Sequence, residues 1–183
     1  MIKVFLFLVI GLLNFTNYAF SSEFVIESLK KGGKIVFIRH AIAPGSGDPE
    51  NIDLEDCTTQ RNLNEEGIKQ AKIIGNFFKD NKIEIDKILS SEWCRCKDTA
   101  KFAFGNFKTF SALNSFYDEK FAKNADKQIQ ELNTFINGWD SNKNLVLVTH
   151  YVVISAMLNR SVASGEIVVS DKKFNIIGSI TTD

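Results

Sequence analysis

The sequence predicts an α/β domain, a three-layer α/β/α sandwich with a mostly parallel central sheet. Two short apolar runs, within Gly33–Ala41 and Asn144–His150, are typical of covered parallel strands. Segments with strand and helix patterns alternate between them, which indicates a parallel sheet with helices on both faces. Ligands of such sheets bind beyond the carboxyl ends of the strands, so those ends are where a site is expected.

Residues 1–21 predict a secretory signal peptide. Lys3 precedes the apolar run Val4–Leu13, which is too short to span a bilayer securely. Ala19 and Ser21 supply small residues before a cleavage site after Ser21. An uncleaved membrane anchor is the alternative. A lipid-modified N-terminus is not expected, since no cysteine follows the run. We therefore expect a periplasmic or extracellular protein without stable membrane insertion after cleavage.

The remaining residues, 22–183, predict one domain with a sizeable core. Without Lys3, this part carries a net charge of about −1. This near-neutral balance gives no reason to expect binding to nucleic acid or to an anionic membrane.

The first predicted strand delivers Arg39 and His40 to its end, and a long connection follows over residues 43–62. A connection of this length in a compact domain is usually functional or disordered, and we interpret it as a lid beside His40. A solvated surface loop is the alternative. Arg61 is a weaker candidate for substrate binding. The acidic residues of the lid should repel highly anionic substrates if it closes: Asp48, Glu50, Asp53, Glu55 and Asp56.

The later elements follow from apolar spacing and from helix-capping residues. Asn64 can cap a helix whose inward positions are Ile68, Ala71, Ile74 and Phe78, with Leu63 and Ile68 in staple positions. The further predicted strands are Ile85–Leu89, Lys108–Leu113 and a terminal hairpin of Glu166–Ser170 and Phe174–Ile180. The further predicted helices are Trp93–Phe104, Lys127–Trp139 and Tyr151–Leu158.

Three of these strand ends carry the candidate site. The chain has two histidines, and each follows an apolar run directly, at His40 and His150. Between them, Ser91 is a plausible cap for a helix that carries Arg95 in its first turn, beside exposed N–H groups. With Arg39, these residues indicate an oxyanion or phosphate cradle.

These residues resemble the histidine phosphatase superfamily, in the branch that contains phosphoglycerate mutases and protein phosphohistidine phosphatases. The matching residues are Arg39-His40, Ser90-Ser91 with Arg95 and Thr99-Ala100, and Thr149-His150. The resemblance implies a phosphoglycerate mutase-like fold, with His40 as the phosphoryl acceptor and Arg39, Arg95 and His150 as the phosphate clamp. It also implies a phosphatase that hydrolyses a phosphomonoester, phosphoramidate or anhydride through a phosphohistidine, so the expected partner is a small phosphorylated substrate or a phosphohistidine-containing protein. The predicted signal peptide makes this an exported enzyme. No metal or other cofactor is expected, because the arginines and histidines already supply fixed positive partners for the phosphate.

Two positions depart from the family pattern. Ala41 stands where the family commonly has glycine, a change of one methyl group. Ser115 stands where many members carry the glutamate that donates a proton to the leaving group. Either Asp118 or Glu119 takes that role, or no strong general acid is present. Without an acid, phosphates with leaving groups that depart readily, such as phosphohistidine or pyrophosphate-type groups, should be favoured over alkyl phosphates.

The three cysteines are Cys57, Cys94 and Cys96. In an exported chain a disulfide is expected, and Cys94 and Cys96 are too close in sequence to pair comfortably. Cys57 should therefore join one of them and tie the lid to the Arg95 helix, leaving one thiol free. A metal site formed by both helix cysteines and a histidine is the competing hypothesis, but it would crowd the anion site.

Two functions of other classes stay open. One is a catalytically impaired module that binds phosphate or phosphoesters on the same fold. The other is a structural envelope protein in which the two histidines are incidental.

Overall fold

The structure is a computed structural model that describes residues 22–182. The predicted signal peptide and its cleavage site lie outside these residues. No helix within residues 22–182 is long and apolar enough to cross a membrane.

A single mixed sheet of six strands forms the centre of the described chain. Its spatial order is β3-β2-β4-β1-β5-β6, with the first four strands parallel and the last two antiparallel to their neighbours. The mostly parallel sheet and the terminal hairpin are therefore confirmed. The strands are β1 (Ile35–Arg39), β2 (Ile85–Ser90), β3 (Lys108–Thr109), β4 (Asn144–Thr149), β5 (Ile167–Ser170) and β6 (Ile176–Ile180).

Helices cover both faces of this sheet. They are α1 (22–30), α2 (Glu65–Asp80), α3 (Cys94–Phe104), α4 (Glu119–Ala122), α5 (Ala125–Gly138) and α6 (Tyr151–Leu158). Short 3-10 turns form at Cys57–Thr59 and Ser111–Leu113. The predicted three-layer α/β/α sandwich is confirmed.

The sheet has a hydrophobic core on each face, and the side chains of β1 alternate between the two cores. Ile35 and Phe37 pack with residues of α5 and α6, whereas Val36 and Ile38 pack with residues of α1, α2 and α3. Successive side chains of a strand point to opposite faces, so an apolar run of this kind serves two cores at once. All four side chains are fully buried, and each such burial contributes roughly 1.5–3 kcal/mol.

Helix α2 begins after Asn64, as the sequence predicts, and its first turn packs closely against the backbone at Ile42, two residues after His40. The Asn64 side chain accepts a hydrogen bond from the Gly67 N–H at 2.8 Å, which satisfies one of the free donors of the first turn. A Cβ at Gly67 would lie 2.0 Å from the Ile42 carbonyl oxygen. This position therefore requires glycine, and the contact fixes the backbone beyond the first histidine.

Helix α3 differs from the prediction at its start. Its N-cap is Trp93, without a side-chain capping bond, so the expectation that Ser91 caps this helix is wrong. The Ser91 hydroxyl lies too early in the chain to cap the helix and instead accepts a hydrogen bond from the Trp93 N–H at 3.2 Å. Its other contacts belong to the site described below.

The predicted strand Lys108–Leu113 is also shorter than expected. It pairs with β2 for two residues only, because Ser111–Leu113 turns into a 3-10 helix that buries Ala112 and Leu113. This turn packs against α5 and brings Asn114 and Ser115 back towards the carboxyl edge of the sheet.

A disulfide joins Cys57 to Cys94, with a Cα–Cα distance of 5.7 Å. The prediction that Cys57 pairs with one of the two helix cysteines is thus confirmed, and Cys96 is the free, buried thiol. Beside the bridge, the Gln60 side-chain oxygen accepts a hydrogen bond from the Cys94 N–H at 2.9 Å. The lid is therefore fastened to the start of α3 by a covalent and a polar contact.

Candidate active site

The carboxyl ends of β1, β4 and β2 lie side by side and bring the two histidines together. Arg39 is in register with Thr149, and the His40 N–H donates to the Thr149 carbonyl at 2.9 Å. On the other side, the Ser91 N–H donates to the Val148 carbonyl at 2.9 Å. The backbone pairing of parallel strands thus fixes this juxtaposition before any side chain is considered.

A cleft of about 180 Å³ opens at this edge. It contains the predicted site residues Arg39, His40, Arg95 and His150, and it also contains the weaker candidates Arg61 and Asp118. The remaining lining residues are Gly45, Ser46, Gly47, Asp48, Ser115, Tyr117 and Tyr151. Glu119 does not line the cleft; it is the exposed first residue of α4.

His40 is held as a neutral imidazole with a defined tautomer. Its Nδ1 lies 2.9 Å from the Ala41 carbonyl oxygen. A carbonyl can only accept, so Nδ1 carries the hydrogen and Nε2 keeps its lone pair. Burial and the nearby Arg95 lower the pKa of His40 well below its usual value. The side chain is 2% exposed, and its ring lies 5.5 Å from that of His150, centre to centre.

A chain of hydrogen bonds holds His150 in the tautomer opposite to that of His40, with the hydrogen on Nε2. Its Nε2 lies 2.9 Å from the Ser91 hydroxyl, which donates to the Asn114 side-chain oxygen at 3.1 Å. That oxygen also accepts from the Glu92 N–H at 2.9 Å. Because the serine hydrogen goes to Asn114, Nε2–H of His150 donates to Ser91 and Nδ1 keeps a lone pair, 3.5 Å from Arg95 Nη2. Burial and Arg95 lower the pKa of His150 well below its usual value.

Arg95 forms a buried ion pair that the sequence analysis did not identify. Its Nη1 lies 2.8 Å from Asp48 Oδ1, and the two side chains are 3% and 1% exposed. Asp48 also accepts hydrogen bonds from the Trp93 indole and from the Arg61 backbone N–H, both at 3.1 Å. A carboxylate with three donors fixes the guanidinium beside it, because each bond restricts a different direction.

No residue-type signal separates Asp48 from the other acidic residues of the lid. Of the five acidic residues of the lid, only Asp48 lines the cleft. Its charge is paired with Arg95, and Asp53, Glu55 and Asp56 lie away from the cleft.

Arg39 and Arg61 complete the cationic wall. Arg39 Nη1 donates to the Val162 carbonyl at 2.8 Å, and Arg61 Nε donates to the Gly47 carbonyl at 2.9 Å. Arg61 Nη1 also donates to the Ala43 carbonyl. Backbone carbonyls therefore hold these guanidinium groups in place and leave their positive charges uncancelled.

The electrostatics of the cleft favour an anion. Burial lowers the pKa of both Arg39 and Arg61, and repulsion by Arg95 lowers it further because three guanidinium groups lie close together. Within the described residues, the Nε atoms of Arg39 and Arg95 are buried without a partner. A phosphoryl group, with its charge spread over several oxygens, matches such an array better than a neutral ligand does.

Ser115 and Asp118 occupy the part of the cleft where a proton donor is expected. Ser115 is buried, and its hydroxyl accepts a hydrogen bond from the Tyr117 N–H at 3.3 Å. Asp118 lines the cleft and Glu119 does not. Of the two predicted candidates, geometry therefore leaves Asp118 as the carboxyl group that can reach a ligand.

The competing metal hypothesis is not supported. Cys94 is consumed in the disulfide, which removes one of the two thiolates that the hypothesis needs. Cys96 Sγ lies 3.4 Å from His150 Nε2, but burial raises the pKa of its thiol to about 12. Across residues 22–182, no group of three or more His, Cys, Asp or Glu side chains is arranged to hold a metal ion.

Comparison with known proteins places the fold. The protein histidine phosphatase SixA complexed with tungstate superposes with a TM-score of 0.56 and 16% identity, over 78% of this chain and 92% of that chain. Phosphoglycerate mutase from Thermus thermophilus gives 0.58 and 15%, over 82% and 99%. A phosphoserine phosphatase mutant from Entamoeba histolytica, in complex with phosphoserine, gives 0.54 and 19%, over 74% and 89%. At these identities the likeness establishes the fold alone.

A comparison with curated proteins finds no match. Residues 35–114 match the model of the histidine phosphatase superfamily, branch 1. This segment contains His40, Arg61 and Arg95, whereas His150 lies beyond it. The matched segment and the phosphoglycerate mutase-like fold both support assignment of this chain to the histidine phosphatase superfamily.

Proposed function

We propose that this chain is a phosphatase that hydrolyses a phosphomonoester, phosphoramidate or anhydride through a phosphohistidine on His40. The observation that carries the proposal is the state of His40. It is a buried, neutral imidazole whose Nδ1–H is bound to Ala41, so that Nε2 keeps its lone pair within a wall of three arginines. A neutral nitrogen beside an array of phosphate-binding cations is what phosphoryl transfer to histidine requires.

In the first step, Nε2 of His40 attacks phosphorus. The bond from phosphorus to the leaving group breaks, and its electron pair departs with that group. Arg39, Arg95 and His150 hold the equatorial oxygens, with Arg61 adding positive charge. The anion favours a protonated His150, whose Nδ1–H then donates to a phosphoryl oxygen.

In the second step, water attacks the phosphorus atom of the phosphohistidine. The N–P bond breaks, its electron pair returns to Nε2 of His40, and inorganic phosphate forms. We assign to Asp118, which lines the cleft, the role of accepting the proton of the attacking water.

The leaving group sets the substrate preference. Ser115, in the position expected for an acid, has a hydroxyl that cannot donate a proton strongly near neutral pH. We therefore expect reactive phosphates, such as phosphohistidine or pyrophosphate-type groups, to be hydrolysed faster than unactivated alkyl phosphates. Equal rates on both would contradict this preference.

Two structural neighbours support an oxyanion ligand. Tungstate, bound in the SixA structure, is a tetrahedral oxyanion like phosphate, and phosphoserine in the Entamoeba structure is a phosphomonoester. The reaction proposed here needs no metal, because the three arginines supply the positive charge that a metal would otherwise provide.

The test is hydrolysis of an activated aryl phosphate by residues 22–183, with and without a chelator, beside two variants. His40→Ala should abolish turnover. Arg160→Ala is the matched control for loss of an arginine, because Arg160 pairs with Glu166 away from the cleft, and it should keep turnover. Activity that survives in His40→Ala, or that the chelator removes, would overturn the proposal.

A module that binds phosphate without turnover is the second candidate, and the serine at position 115 favours it. The parent protein would then bind phosphate or vanadate, and substrate analogues would displace these anions. The same protein would not hydrolyse the aryl phosphate. Absence of any phosphate binding would instead favour the structural envelope protein.

We further propose that residues 1–21 direct export to the periplasm or the extracellular space. The Cys57–Cys94 disulfide supports this, since disulfides form and persist in oxidising compartments. The mature protein from cells expressing the full chain should begin at Ser22 and fractionate outside the cytoplasm. A retained N-terminus in the membrane fraction would instead indicate the uncleaved anchor.

A further inference from the structure

The cleft is too small for most of a substrate. Its volume of about 180 Å³ is below the roughly 300–1,000 Å³ of pockets that enclose a whole small-molecule ligand. The arginines and histidines at its base match the phosphoryl group. The rest of the substrate must therefore lie across the mouth of the cleft.

Two tyrosines form that mouth. Tyr117 and Tyr151 are 48% and 38% exposed, and their ring centres lie 5.7 Å apart at an angle of 61°. The chain has three tyrosines, and Tyr18 lies outside the described residues. The other large apolar side chains that are exposed in residues 22–182 do not line the cleft: Phe24, Ile73, Phe102 and Ile176.

Both tyrosines adjoin the residues that build the phosphate site. Tyr151 is the first residue of α6, directly after His150, and the Arg39 guanidinium lies 5.5 Å from the centre of its ring. The Tyr117 N–H donates to Ser115 Oγ. Because edge-to-face contact and a cation over one ring restrict both side chains, little order has to be gained when a ligand binds.

On the basis of the proposed phosphatase activity, we infer that the leaving group of the substrate carries a ring that packs against Tyr117 and Tyr151. Tyrosine suits this position because it offers an apolar ring face with a polar tip in contact with water. Phosphoryl compounds with an acyclic leaving group gain no such contact. This pair of tyrosines, called the tyrosine rim below, would thus determine specificity without touching the reacting atoms.

The test uses phosphonates, which bind without being hydrolysed and so do not depend on turnover. Benzylphosphonate, cyclohexylmethylphosphonate and heptylphosphonate have equal numbers of carbon atoms and differ in whether these form an aromatic ring, a saturated ring or a chain. Calorimetry with residues 22–183 should give a dissociation constant for benzylphosphonate roughly two- to tenfold lower than for heptylphosphonate, as expected for one aromatic contact.

Variants separate the rim from the phosphate site. Tyr117→Leu and Tyr151→Leu keep an apolar side chain but should remove the preference, whereas Tyr117→Phe should keep it. Phe102→Leu replaces an exposed aromatic residue away from the cleft and should change nothing. The affinity for inorganic phosphate should stay within about twofold in Tyr117→Leu, Tyr117→Phe and Phe102→Leu, since none of them removes a charged group or a contact to Arg39.

Equal affinities for the cyclic and acyclic phosphonates in the parent protein would overturn the inference, as would a preference that survives both leucine variants. A saturated ring that binds as well as the aromatic one still supports it. If the phosphonate affinities rank as expected while aryl phosphate is not hydrolysed, the proposed phosphatase activity is wrong and the inference about the tyrosine rim holds. If hydrolysis depends on His40 but the ranking is flat, only the inference about the rim fails.

Discussion

Reduction of the Cys57–Cys94 disulfide should lower the free energy of unfolding by about 4 kcal/mol, a magnitude that follows from the length of the loop that the bridge closes. The two cysteines are 37 residues apart. Loss of the crosslink restores the entropy of that loop to the unfolded chain, which corresponds to about 4 kcal/mol at 25 °C. For a chain of this length the melting temperature should fall by about 8–16 °C.

The same change should leave the folded cleft in place. Gln60 still accepts from the Cys94 N–H, and the Asp48–Arg95 ion pair still joins the lid to α3. These contacts do not depend on the bridge. Well below the melting temperature, phosphate affinity and turnover of aryl phosphate should therefore change by less than about twofold, because the crosslink acts mainly on the unfolded chain.

The assay compares thermal unfolding and phosphate binding of the oxidised chain, the reduced chain and the Cys57→Ala/Cys94→Ala double variant. The reduced chain keeps both sulfur atoms, so it isolates the crosslink from any change in packing. A shift in melting temperature below about 3 °C would refute the entropy argument. A loss of phosphate binding at low temperature would show that the bridge, and not the polar contacts, holds the lid.

The other predictions concern the buried charged and titratable groups. His40 and His150 are buried in the neutral form, so below about pH 6.5 the folded chain binds fewer protons than the unfolded chain. Their contribution to the free energy of unfolding is fully present above that pH. On acidification below it, the free energy of unfolding should fall by up to about 2.7 kcal/mol per pH unit for the two histidines together. Urea unfolding between pH 7 and pH 5.5 measures this, and His40→Gln should halve the slope. Asp48→Asn breaks the buried pair with Arg95 and should cost about 3 kcal/mol by urea unfolding, together with weaker phosphate binding in calorimetry. Cys96, with a thiol pKa raised to about 12 by burial, should react with aromatic disulfide reagents only in denaturant.

Each of these has an outcome that would contradict it. A flat pH dependence in the parent protein would show that the histidines are not buried in the neutral form. Glu84→Gln, which removes one partner of the exposed pair with Lys143, is the control for Asp48→Asn, and equal costs would contradict the burial argument. Modification of Cys96 in the native protein would show that α3 opens.

Much of the fold could be predicted because strands that are buried on both faces need continuous runs of apolar residues, which are visible in the sequence. The apolar runs of β1 and β4 are continuous because both faces of each strand are covered. A histidine that directly follows such a run lies at the carboxyl edge of the sheet, so the sequence alone predicts that His40 and His150 lie close together. The pairing of Arg39 with Thr149 is what makes that inference work.

The residues that sequence analysis missed lie on irregular segments. Asp48 reaches Arg95 through the path of the lid, and local residue pattern does not determine such a path. Asn114 reaches Ser91 because the chain turns into a 3-10 helix where a strand was expected. Ser91 illustrates the same limit, since a serine before a helix usually indicates a cap, yet here its hydroxyl connects His150 to Asn114.

The phosphoryl-enzyme intermediate is the most direct test of the proposed mechanism. Residues 22–183 would be mixed with excess aryl phosphate, quenched in alkali, digested and mapped by mass spectrometry, with His40→Ala treated in the same way. Phosphohistidine is stable in alkali and labile in acid, so its chemical behaviour identifies it. We predict one phosphoryl group on the peptide that contains His40, absent from the variant and lost in acid. Hydrolysis without any labelled histidine, or a label on His150, would contradict the assignment of His40 as the phosphoryl acceptor.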